Sequence, residues 1–350
     1  MASLFYPQKK GGGPPVSIYN LIKSIYSHFD IYVISKNYEI NDSNPLEGVS
    51  SGWNQLEYCK AFYFDYGKHT IKNVLKLIKE IKPDIIYQNS FFSYDDVISV
   101  MLYKRFHNKK TRLIITPRGE FQPNALAHNS VVKKAYICFM RLLGARKNVE
   151  WQVAALEEAY GISTYMNIDS KSVAVIPNIS YADGGEISIP IKEQGIIKIV
   201  YVARVHPHKN LLFALQTLEG IKGNVTFDIY GNVENSDYWE RCTKKIHSFP
   251  PNIQCNYKGY IENSSIAKAF ENQHFLYLPS SSEAYGQSIV EAMLTKTPVL
   301  ISDQTPWTDI NEQNAGFAVN LNYHEAFSGK LQEMIEDRKS TRLNSSHRIR

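Results

Sequence analysis

Apolar runs of strand length alternate with stretches of helical periodicity along the whole chain. That alternation predicts βαβ units and parallel sheets. In the first half, a short strand at Leu4–Tyr6 runs into the glycine turn KKGGGPP. The segment VSIYNLIKSIY then places Ile18, Leu21, Ile22 and Ile25 on one helical face. The strand DIYVIS, a polar loop from Lys36 to Gln55 and the strand AFYF follow. TIKNVLKLIKEI reads as a helix stopped by Pro83. DIIYQN and RLIIT have the unbroken apolar character of strands buried on both faces. A helix from about Val131 to Leu143 and the strands VEWQVA and SVAVIP complete this half.

Residues 178–195, NISYADGGEISIPIKEQG, have the composition of a loop and are read as a linker. Beyond it the alternation restarts. IKIVYVA, VTFDIYG, IQCNYKG, FLYLPS and PVLIS read as strands, separated by the helical segments NLLFALQTLEG, SDYWERCTKKI, SIAKAFEN and GQSIVEAMLT. The expectation is an α/β chain with two Rossmann-like, doubly wound domains facing across a cleft: residues 1–177 and 196–336. Open sheets of this kind bind ligands at the carboxyl ends of their strands.

A length of 350 residues fits two domains of ordinary size, and 43% hydrophobic residues are enough for a core in each. No apolar run approaches the ~18 residues that a spanning helix needs. MASLFYPQKK lacks the features of a signal peptide, so a cytoplasmic location is expected. Cys59, Cys138, Cys242 and Cys255 are scattered, and they read as thiols in a reducing compartment.

The net charge of +5 suggests a nucleic-acid partner until the tail is set aside. Residues 337–350, DRKSTRLNSSHRIR, begin with a stretch matching a translated sequencing adapter, and are read as a fusion scar. This tail supplies four of the net positive charges and leaves +1, so no nucleic-acid partner is expected. On the same reading the natural chain is expected to be cut near Glu336, and the short first strand, Ala2 to Tyr6 before Pro7, is compatible with Met1 being an internal methionine.

The strongest chemical signal is PSSSEAYGQSIVEAM, residues 279–293. A buried strand enters a small polar loop and then a helix, whose first turn offers free N–H groups and a positive dipole end. Gly286 permits close backbone approach to a ligand. Glu283 in the loop, with Tyr285, Gly286 and Gln287, and Glu291 on the helix, form one candidate site. A carboxylate can accept bonds from two neighbouring sugar hydroxyls. A second signal is VYVARVHPHKN, where Arg204 ends a strand and Lys209 opens the next helix. Two such cations suit a diphosphate, though an ordinary solvated pair fits the residues equally well. His206 and His208 read as loop residues, because no carboxylate or cysteine joins them as a metal ligand. Gly11-Gly12-Gly13 could cradle a phosphate, but has neither the P-loop ending nor a GxGxxG spacing. In TPRGEFQPNAL, Arg118 and Glu120 point to an acceptor site, with a structural Arg-Glu ion pair as the alternative.

Taken together, EAYGQSIVEAM, ARVHPHKN, TPRGEFQPNAL and GGGPPVSIYNL resemble the retaining glycosyltransferases of family 4, which have the GT-B architecture. The resemblance implies that Arg204 and Lys209 neutralise a departing nucleotide diphosphate, with Gly12 and Gly13 adding N–H donors. It implies that Glu291 holds the ribose, that Glu283 meets the donor sugar near its reacting carbon, and that Gly259 and Tyr260 hold the base. Catalytic roles fall on Glu283, Arg204 and Lys209. The resemblance also implies a metal-independent reaction with no cofactor beyond the nucleotide sugar. The acceptor would be a saccharide or lipid-linked saccharide, in bacterial surface polysaccharide or lipopolysaccharide synthesis, with peripheral contact at the cytoplasmic membrane face. The chain departs from the pattern at Val16, Gln152, Ala154 and Ala155, and at loops that lack the histidine common near the acceptor. A nucleotide-sugar epimerase or hydrolase of the same fold, or an inactive nucleotide-sugar-binding module, are the alternative readings. A dinucleotide oxidoreductase fits less well, because neither half has the glycine fingerprint with its downstream acid.

Overall fold

A computed structural model of the chain describes residues 1–2, 4–8, 13–40, 42–122, 125–126, 130–180, 192–262 and 265–337. Gly11, Gly12, linker residues 181–191 and tail residues 338–350 therefore lie outside the described residues. The chain divides into two compact units, Met1–Ile179 and Ser180–Arg350.

The first unit opens with helix α1 (Gly13–Ile25), then strands β1 (Tyr32–Lys36), β2 (Gly52–Gln55) and β3 (Lys60–Phe64). β1 and β3 pair in parallel, and β2 runs antiparallel on the outer side of β3. The expected polar loop from Lys36 to Gln55 thus ends in an edge strand. Helix α2 (Ile71–Ile81) starts as the sequence suggests, with the Thr70 hydroxyl accepting from the Asn73 amide. Strand β4 (Ile85–Asn89), helix α3 (Tyr94–Phe106), strand β5 (Arg112–Thr116) and helices α4 (Ser130–Leu142) and α5 (Ala145–Asn148) follow. Strand β6 (Glu150–Val153), helix α6 (Leu156–Met166) and strand β7 (Val173–Val175) complete the unit. β4, β5, β6 and β7 form a parallel sheet in that order. The sequence pattern did not anticipate α3 or α6.

The expected first strand at Leu4–Tyr6 is reduced to one bridge. Ala2 pairs with Asn89 of β4 and donates its N–H to Ile34 O of β1 at 3.0 Å, so one residue stitches the two sheets together. Beyond it a turn closes: Gln8 N donates to Phe5 O at 3.0 Å, and Phe5 N donates to Gln8 Oε1 at 2.6 Å. Pro7 has no N–H with which to extend a ladder.

Alternation along β1 and β3 sends side chains to two faces. Val33, Ala61 and Tyr63 pack with Ile18 and Ile22 of α1. Ile34 and Phe64 pack instead with Val74 and Ile78 of α2 and Val100 and Met101 of α3. The sheet is covered on both faces, as a doubly wound fold requires.

The second unit runs β8 (Ile196–Val202), α7 (Leu211–Thr217), β9 (Asn224–Tyr230), α8 (Ser236–His247), β10 (Ile253–Gly259) and α9 (Ile266–Phe270). It continues with β11 (Phe275–Leu278), α10 (Gln287–Leu294), β12 (Val299–Ser302), β13 (Gly316–Val319) and α11 (His324–Glu336). Its six strands are all parallel, in the order β10-β9-β8-β11-β12-β13. Numbered from the first strand of the unit, this is the 3-2-1-4-5-6 order of a Rossmann sheet. The order reverses between β8 and β11, where the chain leaves the sheet in opposite directions and opens a crevice at the carboxyl ends.

Candidate active site

The loops after β8 and β11 both leave the sheet at this switch point. The first carries Arg204 and Lys209. Val205 and Val233 form a parallel bridge that extends β8 and β9, with Val205 N donating to Asn232 O at 2.8 Å. A 3₁₀ turn at Pro207–Lys209 follows, capped by the His206 ring, which accepts from His208 N. Beneath it the fully buried Tyr201 hydroxyl lies 3.3 Å from Arg204 O and 3.4 Å from Lys209 O. One phenol therefore tethers the backbone of both cations.

The second loop is held just as firmly. Ser281 N donates to His208 O at 2.9 Å, and Glu283 N donates to Gln304 O at 3.2 Å. The Ser302 hydroxyl donates to Ser280 O at 2.5 Å. These bonds bring Lys209 Nζ within 2.5 Å of Glu283 Oε1, which also accepts from the Ser280 hydroxyl at 2.7 Å. Both side chains of the pair are largely buried. Arg204 does not join them: its Nη1 lies 2.9 and 2.8 Å from the two carboxylate oxygens of Glu234, beyond β9. Each expected phosphate-binding cation is thus already oriented by a carboxylate.

Helix α10 begins at Gly286, whose φ of +78° puts it in the left-handed region. A Cβ there would sit 2.7 Å from the Cδ1 end of the Ile289 side chain, which can turn aside, so it is the left-handed backbone that calls for glycine. Tyr285 is anchored by its carbonyl, which accepts from Trp307 Nε1 at 2.5 Å, and its ring meets that of Trp307 edge-on at 5.8 Å. One turn into the helix, Glu291 is buried. Burial pushes its carboxyl up to about 7, against the opposing effect of a bond from Gln287. Gln287 Nε2 lies 3.1 Å from Glu291 Oε1 and 2.8 Å from the Ser180 hydroxyl. A buried carboxylate one turn from the start of a helix, already accepting from Gln287, has further lone pairs that hydroxyls can fill.

Gly259 ends β10 at φ +74° with open space where a Cβ would stand, and its carbonyl accepts from Gly231 N at 2.8 Å. Tyr260 is exposed beside it. Gly231 marks a requirement that sequence reasoning missed: at φ +143°, a Cβ would lie 1.9 Å from Ala203 O. The glycine at the end of VTFDIYG was the available signal. Glu234 and Trp307 were also missed, and no motif marks them; Tyr201 and Ser280 stand inside the two quoted motifs but were given no role there.

The first-unit candidates are placed differently. Gly12 lies outside the described residues, and Gly13 is the first residue of α1. Arg118 and Glu120 do not form the alternative ion pair. Arg118, at φ +58°, donates from Nε to Asn89 Oδ1 at 2.7 Å, from Nη1 to Asn178 Oδ1, and from Nη2 to Tyr87 Oη at 3.3 Å. Glu120 accepts from the Ser90 hydroxyl and Phe91 N, each at 2.5 Å, and from Phe92 N at 3.2 Å. Burial raises the Glu120 carboxyl, and these donors oppose the rise. Nearby, Glu158 accepts from Gly119 N, and burial pushes it up to about 7. Both candidates are thus built into the loop that follows β5. Among the described residues, no three His, Cys, Asp or Glu side chains gather as a metal site. No helix among them is long and apolar enough to cross a membrane.

Residues 188–349 match the family Glycosyl transferases group 1. The chain is similar to an uncharacterized 41.2 kDa protein in cps region of Klebsiella pneumoniae, at 25% identity over 258 residues, which cover 71% of this chain and 68% of that protein. It is similar to the processive diacylglycerol alpha-glucosyltransferase of Acholeplasma laidlawii, at 23% identity over 292 residues, 79% of this chain and 76% of the relative. Among solved structures it resembles Anabaena Alr3699/HepE, crystallised with UDP and glucose. The TM-score is 0.69 at 15% identity, with 96% of this chain and 90% of that one covered. The second unit carries a glycosyl transferases group 1 domain, the fold is that of GT-B glycosyltransferases, and the protein is a glycosyltransferase.

Proposed function

We propose that the protein is a retaining, metal-independent transferase of family 4. It moves a hexosyl group from a nucleotide-diphosphate sugar to a saccharide or lipid-linked saccharide of the bacterial surface. The observation that carries this reading is the convergence of Lys209 and Glu283 from two loops at the switch point, with Arg204 on the first loop and the helix bearing Glu291 opening from the second. A domain of the glycosyl transferases group 1 family and a structural neighbour holding UDP and glucose support it. The relatives in a cps region and in lipid glucosylation support a polysaccharide or lipid-linked acceptor, and with it a peripheral place at the cytoplasmic membrane face.

Arg204 and Lys209 meet the diphosphate, and their carboxylate partners Glu234 and Glu283 hold them in position before it arrives. Glu291 accepts from the ribose hydroxyls, and Gly259 and Tyr260 flank the base. Gly286, Tyr285 and Gln287 shape the helix entrance. Glu283 contacts the donor sugar. Arg118 and Glu120 shape an acceptor loop of the first unit. As the bond from the anomeric carbon to the phosphate oxygen breaks, negative charge grows on the diphosphate; each aligned donor stabilises it by ~3 kcal/mol. The acceptor oxygen bonds to the anomeric carbon from the same face, and its proton passes to a phosphate oxygen of the leaving group.

The test is to incubate the full chain with UDP- and GDP-hexoses and saccharide or lipid-linked acceptors, and to read the products by NMR. Transfer with the donor's anomeric configuration supports the proposal, and an inverted linkage contradicts the retaining course. Free sugar or an epimer formed without acceptor assigns the site to the epimerase or hydrolase reading. Nucleotide binding without turnover assigns it to the inactive module.

A further inference from the structure

Four tyrosines form a continuous row on the surface of the first unit. Between ring centroids, Tyr6 lies 5.6 Å from Tyr19, Tyr19 5.9 Å from Tyr58, and Tyr58 4.9 Å from Tyr26. Tyr19 stands on α1, and Tyr26 N donates to Ile22 O at 2.9 Å, which carries the last turn on to the end of the row. Tyr58 comes from the turn before β3. Tyr19 and Tyr58 are half-buried, packed on the small core that holds Ile18 and Ile22. The end members Tyr6 and Tyr26 are 53% and 50% exposed. Tyr6 is fixed through its carbonyl, which accepts from the Tyr63 hydroxyl. Rings held in place before a ligand arrives lower the ordering cost of binding it. The row also has a direction. Tyr6 follows Ala2, whose bridge to Asn89 lies at the carboxyl end of β4, whereas Tyr26 and Tyr58 precede β1 and β3 at their amino ends. It therefore leads from the rim where such a sheet takes its ligand down the length of α1, roughly 20 Å at 1.5 Å per residue.

The surroundings of the row indicate its partner. Among the described residues from 1 to 66, every exposed large hydrophobic side chain is aromatic except Ile40. The same stretch of sequence has five lysines and no arginine against six aspartates and glutamates. That balance gives an anionic membrane or a nucleic acid nothing to pair with. A protein interface of this size ordinarily sets arginine and methionine among its aromatics, and here neither borders the row. A pyranose ring has a face of C–H groups and a rim of hydroxyls. Tyrosine offers the matching pair, an apolar ring face and a hydroxyl that both donates and accepts. The exposed Glu57, bonded to the Tyr58 hydroxyl, adds a carboxylate acceptor beside the rings. The spacing from ring to ring is comparable with that of successive sugar units in an extended glycan.

We propose that Tyr6, Tyr19, Tyr58 and Tyr26 form a saccharide-binding track, on which the units of an oligosaccharide acceptor remote from its reacting hydroxyl stack. The inference rests on the saccharide acceptor proposed above and is independent of the donor site. The test is affinity electrophoresis of the full chain in native gels cast with dextran, pullulan or galactomannan, beside Y26A/Y58A and Y26F/Y58F variants. UDP-induced thermal stabilisation, measured on the same proteins, reports on folding and on the donor site. The expected result is retardation by at least one of the three polysaccharides, weakened at least about fivefold in Y26A/Y58A and by less than about twofold in Y26F/Y58F, which keeps the ring faces. The UDP shift should be the same in all three proteins. No retardation by any of the polysaccharides, undiminished retardation of Y26A/Y58A, or equal loss in both variants overturns the proposal. A concentration-dependent dimer in gel filtration that is lost in Y26A/Y58A assigns the row to a second copy and also overturns it. A UDP shift in a chain that no polysaccharide retards leaves the donor site standing without the track. Retardation without a UDP shift supports the track and counts against the donor site.

Discussion

Lys209 and Glu283, 74 residues apart in sequence, meet at 2.5 Å where the strand order of the second sheet reverses. The ammonium is therefore held at the crevice before any ligand arrives, by a carboxylate that the Ser280 hydroxyl also holds. Lys209→Ala should lower turnover by roughly 100- to 1000-fold, the usual effect of removing one aligned donor. It also leaves Glu283 largely buried without its cation, costing on the order of 2 kcal/mol of stability. In Lys209→Ala/Glu283→Gln, urea unfolding should show most of that stability regained while turnover stays low. Full activity in Lys209→Ala would remove the lysine from the mechanism.

Tyr201 provides a finer test of how the cations are positioned. Its hydroxyl reaches the carbonyls of both Arg204 and Lys209, over long bonds of 3.3 and 3.4 Å. Tyr201→Phe should cost about 1 kcal/mol of stability. Turnover should fall several-fold, with KM for the donor rising less than kcat falls, because the loop is loosened and no ligand contact is lost. Unchanged steady-state kinetics would show that the backbone bonds alone hold the loop.

Glu291 links donor binding to pH. Its folded carboxyl titrates at about 7 because it is buried; an unfolded glutamate titrates near 4.3. Between those values the folded state binds the extra proton, so this group's contribution to stability is full below about 4.3 and is lost as pH rises through 7. The loss amounts to roughly 4 kcal/mol by pH 8. Glu291→Gln should therefore raise the melting temperature at pH 8 and flatten its decline from pH 5 to 8, while weakening nucleotide binding. In the unaltered protein, nucleotide affinity should rise as pH increases through 7, since the carboxylate is the better acceptor for ribose hydroxyls. Affinity that is flat across this range would contradict the ribose assignment.

Gly231 tests the packing beneath the site. Any Cβ there collides with Ala203 O, one residue before Arg204, and φ is +143°. Gly231→Ala should cost on the order of 3 kcal/mol in urea unfolding. It should also displace Arg204 enough to lower turnover in whatever protein still folds. A change below about 1 kcal/mol would mean that the loops yield where the structure holds them close.

Much of this was legible in the chain. The strands of the second unit stand out because buried parallel strands are apolar throughout, as in β11 and β12. The loop from Ser280 to Gly286 was visible as a strand, a small polar loop and a helix. Helix α3 was not legible, because it buries Asp96 and Ser99 alongside Val97, Val100 and Met101, which leaves no apolar stripe to read. Strand β2 alternates half-buried and exposed residues over four positions, too short for a period to show. The partners of the site residues were hidden for another reason. Glu234 reaches Arg204 from the neighbouring strand's exit, and Ser180 reaches Gln287 from 107 residues away; spacing along the chain records neither contact.

The donor site proposed above is built from the loops after β8 and β11, which would hold a nucleoside diphosphate. Calorimetric titration of the full chain with UDP and GDP, beside Lys209→Ala and Glu291→Ala, tests it most directly. Saturable binding of one nucleotide is expected, weakened at least about tenfold by each substitution, with both variants still melting cooperatively. Equal affinity in all three proteins, or no binding of either nucleotide to the folded chain, would contradict it.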